Sequence, residues 1–170
     1  RQTPLQTLEV DGIEWDYYYY ENDSKPVLFF IHGMGGGYDI WWQQIIELKE
    51  DFGIISITLP AVNSLVKASS GIRSILVKEG IPKVNILVTS MGGYIAQYIV
   101  DTHPEMVEKA VFGNTFPPND IYKEQNGRLR KLIPFIPEWL IMNIFRNNVQ
   151  EKVLPASNHS KLVEAYLLEQ

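Results

Sequence analysis

The segment Asn85–Gln97, NILVTSMGGYIAQ, sets one hydroxyl, that of Ser90, between an apolar run and a helix-forming run, with Gly92 and Gly93 close behind it. A serine on a sharp turn between a strand and a helix stands clear of the sheet, near the positive end of the helix dipole. That placement suits nucleophilic attack on an ester or other acyl carbonyl. Such a turn needs small flanking residues: Gly92 supplies one, and Gly93 lets the helix pack closely. Val88, two positions before the serine, is branched and is expected to crowd the turn. A serine ahead of glycines is also, in many proteins, nothing more than a helix cap.

A second glycine-rich loop, IHGMGGG from Ile31 to Gly37, comes after another apolar run. A dinucleotide-binding reading fails, because the G-x-G-x-x-G spacing breaks at Tyr38 and the next strand ends in Leu59-Pro60 without an acidic residue. No Gly-Lys-Ser/Thr phosphate loop occurs either. Serine is a poor nucleophile at neutral pH without a base, so the histidines matter. His103, before Pro104 at a helix end, reads as a C-terminal cap partner, and His159 in SNHSKL as part of a helix start. Asp120 reads as a loop or N-cap aspartate, and the Trp41-Trp42 pair as packing.

The elements around these loops can be read from periodicity. Asp11-Gly12 between two β-rich runs, TLEV and IEWDYYYYEN, predicts an antiparallel hairpin, with alternate tyrosines of the YYYY run facing core and solvent. The continuously apolar runs PVLFFIH, GIISITLP and VNILVTS predict strands buried on both faces, and KAVFGNT a fourth strand after them. Helices are predicted over Asp39–Glu50, from the N-cap Ser64 to the closing Gly80, and over Gly92–Thr102. Gly71 lies inside the second of these at a cost of about 1 kcal/mol relative to alanine. Alternating strand and helix predicts an α/β fold: a mostly parallel sheet, helices on both faces, functional loops at the carboxyl ends of the strands. After Phe116 the pattern turns helical, with Pro137 in the first turn of one helix and Leu162, Val163, Tyr166 and Leu167 on another. Residues 1–116 therefore read as a core and 117–170 as a helical lid or cap.

The 170 residues are 45% hydrophobic and 21% charged, as expected of a single globular core with its attachments. A net charge of -5, with no basic run, lacks the electrostatic footprint of a nucleic-acid binder. The absence of cysteine excludes disulfides, thiolate metal sites and a cysteine nucleophile. No metal or cofactor is expected. No apolar run approaches the roughly 20 residues needed to cross a bilayer, so a cytoplasmic protein without a transmembrane segment is expected.

IHGMGGG, TSMGGYIAQ and HPEMVEKAVFGNTF together resemble the α/β-hydrolase fold family, most strongly between Val27 and Phe116. The resemblance implies a serine hydrolase of esterase type acting on a small acyl or ester substrate. Ser90 would be the nucleophile, the backbone N–H groups of Met34 and Met91 the oxyanion hole, and His32 structural. The stretch after GNTF is similar to the lid of the maspardin-like branch, and its apolar helix, with Trp139, Leu140, Ile144 and Phe145, favours a greasy substrate. In that family the acid and then the histidine come on later strands. No such strands are written before Gln170, so the base and acid are expected from sequence beyond it. The alternative is a hydrolase-fold protein that no longer catalyses and binds a protein partner through its lid. A half-sheet with an open edge also predicts self-association.

Overall fold

The computed structural model describes residues 5–117, 136–156, 158 and 161–168. The chain divides into two compact units, Arg1–Pro118 and Asn119–Gln170. In the first, β1 (Gln6–Val10) and β2 (Ile13–Tyr20) form the antiparallel hairpin, Val10 opposite Ile13. The turn holds Asp11 at φ 53 and Gly12 at φ 75, both left-handed as this two-residue connection requires. Then come β3 (Val27–Ile31), α1 (Trp42–Leu48), β4 (Gly53–Ile57), α2 (Leu65–Lys78), β5 (Val84–Thr89), α3 (Met91–Thr102) and β6 (Val107–Gly113). The six strands form one sheet in the order β1-β2-β4-β3-β5-β6. β4, β3, β5 and β6 run parallel, and β2 joins β4 antiparallel.

Both faces of the sheet are covered at its centre, over β3, β4 and β5. Phe29, Ile31, Ile55, Ile57, Ile86 and Val88 meet Ala68, Ile72 and Ile75 of α2 and Ile95, Ala96 and Ile99 of α3. Phe30, Ile54, Leu28 and Leu87 form the opposite layer with Trp41, Ile45 and Leu48. Successive residues of each strand enter opposite layers, which is why these strands read as unbroken apolar runs. The tyrosine run obeys the same rule: Tyr17 and Tyr19 enter the first layer, Tyr18 and Tyr20 the second. The expected split between core and solvent is thus corrected, because β2 is an inner strand, paired with both β1 and β4.

Local chemistry sets the helix ends. The Ser64 hydroxyl accepts from the Lys67 amide at 3.2 Å, and Gly80 closes α2 at φ 68. Gly71 has a packing reason, since a Cβ there would overlap the indole of the fully buried Trp15. The helix expected over Asp39–Glu50 is divided into a 3-10 turn, Tyr38–Trp41, and α1. The Tyr38 amide donates to Thr58 Oγ1 (3.1 Å) and its carbonyl accepts from Ser56 Oγ (2.7 Å), so that first turn is pinned to β4 and to Thr58 just beyond its end. At the far end of α2, the Tyr17 hydroxyl donates to Glu79 and accepts from Lys78 Nζ at 2.8 Å, tying the hairpin to the helix. The second unit contains α4 (Glu138–Asn148), a π-helical turn at Val149–Val153, the short helical turn Leu154–Ala156, and α5 (Lys161–Leu168). Pro137 is the N-cap of α4. Among the described residues no helix is long and apolar enough to cross a membrane.

The sheet has a topological switch point between β3 and β5. β3 and β5 are adjacent and parallel, with Ile31 beside Val88. The chain leaving β3 goes to the α1 layer, and the chain leaving β5 goes to α3 on the other face. Loops that part to opposite faces leave an opening at the strands' carboxyl ends, the usual place for a site in such a sheet. His32 ties this end together. Its Nε2 accepts from the Leu59 amide at 2.8 Å, so Nδ1 carries the proton and donates to the Gly33 carbonyl. Burial is the largest influence on the ring and pushes its pKa down, against the Gly33 carbonyl and Asp39, which pull it up.

Val88 is 1% exposed and lies in the core layer of α2 and α3. The expected crowding of the turn is corrected: the strand's alternation points this side chain into the core. Val88→Gly is therefore expected to lower stability by on the order of 2–4 kcal/mol through lost burial and added backbone freedom. Chemical denaturation reads this, and an unchanged midpoint would contradict the packing. For His32 the folded-state pKa lies below that of the unfolded chain, so its contribution is present above about pH 6.5 and lost as pH falls. The urea midpoint should drop between about pH 7.5 and about pH 5, and drop less in His32→Gln; equal drops in both proteins would assign the effect elsewhere.

Candidate active site at the carboxyl ends of β3 and β5

Ser90 sits between the last residue of β5 and the first of α3, at φ 50 and ψ −122. A side-chain-bearing residue in such a region carries strain of about 1–3 kcal/mol and keeps it only where its surroundings over-determine it. The surroundings are visible. The Ser90 amide donates to the carbonyls of Asn114 (3.2 Å) and Gly113 (3.4 Å), beyond and at the end of β6. Its carbonyl accepts from the Gly93 amide at 3.0 Å and from Thr115 Oγ1 at 2.8 Å.

Three glycines permit the approach. A Cβ on Gly92 would lie 2.6 Å from the His32 carbonyl oxygen and 2.7 Å from that of Ile31, so α3 begins against the backbone at the end of β3. One on Gly93 would overlap the Thr115 side chain. One on Gly33 would lie 2.9 Å from Ser90 Cβ and 3.4 Å from its Oγ, so the two glycine-bearing loops touch here. The hydroxyl forms no cap to α3. Ser64, by contrast, caps α2. Ser90 thus departs from the ordinary capping role in both backbone and side chain.

Met34 is 85% exposed, on a turn closed by the Gly36 amide donating to the Gly33 carbonyl at 3.3 Å, with Gly35 at φ 75. The closing bond does not use the Met34 amide. Met91 is the first residue of α3, where amides lack partners within the helix. The crevice therefore brings together Ser90 and the loop carrying Met34, with Met91 directly after the serine. It does not bring a described histidine to Ser90. Both ring nitrogens of His32 are engaged. His103 is at the other end of the 12-residue α3, about 18 Å away along the axis, with Nδ1 3.6 Å from Glu105. Asp120 and His159 lie outside the described residues. Trp41 packs on Phe30 with ring centroids 5.2 Å apart, as a core residue does, while Trp42 is partly exposed.

Asn114, Thr115 and Gln97 carry no sequence signal that marks them for the site. The run KAVFGNT reads whole as a strand, but β6 ends at Gly113, and Asn114 turns the chain at φ 46. Thr115 then faces α3, and Gln97 Nε2 donates to the carbonyls of Phe116 and Gly93, both at 3.0 Å. The one local hint is Gly-Asn at the strand end, a pair that favours a turn. Among the described residues, no group of three or more His, Asp or Glu side chains comes together as a metal site.

No family model matches the chain. It is 22% identical over 173 residues to epoxide hydrolase 1 of Caenorhabditis elegans, covering 92% of this chain and 41% of that protein. A solved hydrolase from Pseudomonas aeruginosa superposes with a TM-score of 0.78 at 19% identity, covering 95% of this chain and 64% of the other. Epoxide hydrolases of the α/β-hydrolase superfamily, from metagenomes of hot environments, superpose at 0.62 with 22% identity, covering 71% and 45%. The chain spans less than half the length of the curated relatives it matches. The maspardin-like branch is not among these likenesses. With four parallel strands extended by an antiparallel hairpin and a strained serine after the third of them in the chain, the protein carries the α/β-hydrolase fold.

Proposed function

We propose that the chain is the nucleophile-bearing part of a serine hydrolase that acts on an ester or other acyl substrate. The observation that carries this reading is Ser90 at φ 50, with its hydroxyl free of the capping bond that its position at the head of α3 offers. A protein that used the fold only to bind a partner would gain nothing from about 1–3 kcal/mol of strain at one serine. In the proposed reaction, Ser90 Oγ attacks the acyl carbon as its proton passes to a base outside the described residues. The carbonyl oxygen becomes an oxyanion facing the amides of Met34 and Met91, the latter at the positive end of α3. The alcohol leaves with that proton, and water then hydrolyses the acyl-serine ester.

The relatives named for epoxide hydrolysis raise a second substrate class, which the chemistry of serine disfavours. Opening an epoxide with a serine oxygen would leave an alkyl ether, and water does not cleave that bond as it cleaves an ester. Covalent turnover through Ser90 therefore favours an acyl carbon over an epoxide carbon.

The open edge of the sheet supports the proposal of self-association. Val111 and Phe112 of β6 are 57% and 41% exposed, and β6 pairs only with β5 among the described residues.

The full-length protein should be labelled by a fluorophosphonate at Ser90 and should hydrolyse p-nitrophenyl acetate but not styrene oxide, with both signals lost in Ser90→Ala. Absence of labelling in the folded protein, or epoxide opening that survives Ser90→Ala, would overturn the reading. Light scattering of the chain should show a mass above that of one copy at high concentration, reduced by Val111→Lys; a monomer at every concentration would remove the association.

A further inference from the structure

We infer that Thr115 is a positioning residue for the acyl-transfer step, acting on the oxyanion donor through the peptide that joins Ser90 to Met91. The inference rests on the serine hydrolase reading and adds to it a residue that touches neither nucleophile oxygen nor substrate.

The carbonyl of Ser90 and the amide of Met91 belong to one peptide unit, which is planar, so fixing the direction of one fixes the other. Thr115 Oγ1 donates to that carbonyl at 2.8 Å. In a trans peptide the C=O and N–H point in opposite directions, so a bond that holds the carbonyl toward Thr115 aims the Met91 N–H the other way. A hydrogen bond accepted by a carbonyl also polarises the N–H of the same unit, making it a better donor. The same oxygen also accepts from the Gly93 amide within the first turn of α3. That second bond alone would let the plane rock with the helix end.

Thr115 is itself held. A Cβ at Gly93 would overlap the threonine, so the missing side chain of Gly93 is the notch in which Thr115 sits. Gln97, one turn further along α3, donates to the Phe116 carbonyl at 3.0 Å, and the Tyr94 and Phe116 rings pack, tilted, at 5.4 Å between centroids. On the other side of Thr115, the Asn114 carbonyl accepts from the Ser90 amide. The segment after β6 thus grips both the N–H and the C=O of the strained residue. A loop with only a packing role would need neither bond. The notch at Gly93 accepts a side chain of threonine's shape, and the hydroxyl is the group that reaches the carbonyl.

The test uses the full-length protein with Thr115→Val, which keeps the shape and removes the hydroxyl, and Thr115→Ser, which keeps the hydroxyl and loses the methyl. Thr115→Val is expected to lower kcat for p-nitrophenyl acetate, and the rate of fluorophosphonate labelling at Ser90, by about tenfold to hundredfold with KM unchanged. Thr115→Ser should recover the wild-type rates to within about threefold. If Thr115→Val does not fold, as read by circular dichroism, Thr115→Ala takes its place with the same expectation. Wild-type rates in Thr115→Val, equal losses in the Val and Ser variants, or a rise in KM with unchanged kcat would each overturn the positioning role while leaving Ser90 as nucleophile. Failure of the unsubstituted protein to label at Ser90 would instead remove the hydrolase reading, and the role of Thr115 with it.

Discussion

A serine at φ 50 and ψ −122 does not hold that shape by itself, and the crevice depends on its being held. The restraint is a close approach of three backbones. The end of β3 meets α3 at Gly92, the turn after it meets Ser90 at Gly33, and the segment after β6 meets α3 at Gly93. Each contact is possible because a side chain is missing, and the last of them brings hydrogen-bonding groups to the serine, the Asn114 carbonyl and the Thr115 hydroxyl. The sheet supplies the rigid frame: β3, β5 and β6 are adjacent and parallel, so the distances among their ends are fixed by ladder spacing. Strain at one residue is thereby spread over a core whose combined burial far exceeds it.

The strand order decides where chemistry can occur. β4 lies on one side of β3 and β5 on the other, and the connections through α1 and α3 lie in opposite layers. Topology alone sets the switch point before any side chain is considered, and Gly33 and Ser90 meet in contact beside it. His32, beside this point, is a structural histidine: its two nitrogens join the first loop to the residues after β4. Its burial keeps the ring neutral, which is the state that this pair of bonds requires.

Much of this frame is legible in the sequence because its signals are local. The Asp11-Gly12 turn, the unbroken apolar runs of β3, β4 and β5, and the Ser64 and Gly80 ends of α2 are each written within a few residues. The turn at Ser90 is legible for the same reason, since strand, serine and glycines are contiguous. The features that escape a sequence reading depend on distant neighbours. Val88 can be placed only by knowing which layer its strand face meets, and the first turn near Tyr38 only through Ser56 and Thr58. Thr115 reaches Ser90 across 25 residues of chain, into a notch made by a glycine that periodicity assigns to helix packing alone. The roles proposed for Met34 and Met91 come from family resemblance, and Met91 shares with Ser90 the peptide plane whose carbonyl Thr115 holds.

The bond between Tyr17 and Glu79 has a consequence for the far edge of the sheet. Burial, and after it the neighbouring carboxylate, raises the phenol's pKa, so the proton stays in place throughout the neutral range. Because the folded value lies above that of the free side chain, the fastening is fully present below about pH 10 and is lost only as alkali strips the phenol. β2 is already held by its ladder with β4 and by the burial of Trp15 and Tyr17 against α2, and the aromatic hydroxyl adds a polar rivet between the hairpin and the end of that helix. The rivet lies at the opposite margin of the sheet from β6, so losing it in strong base removes no hydrogen bond of Ser90.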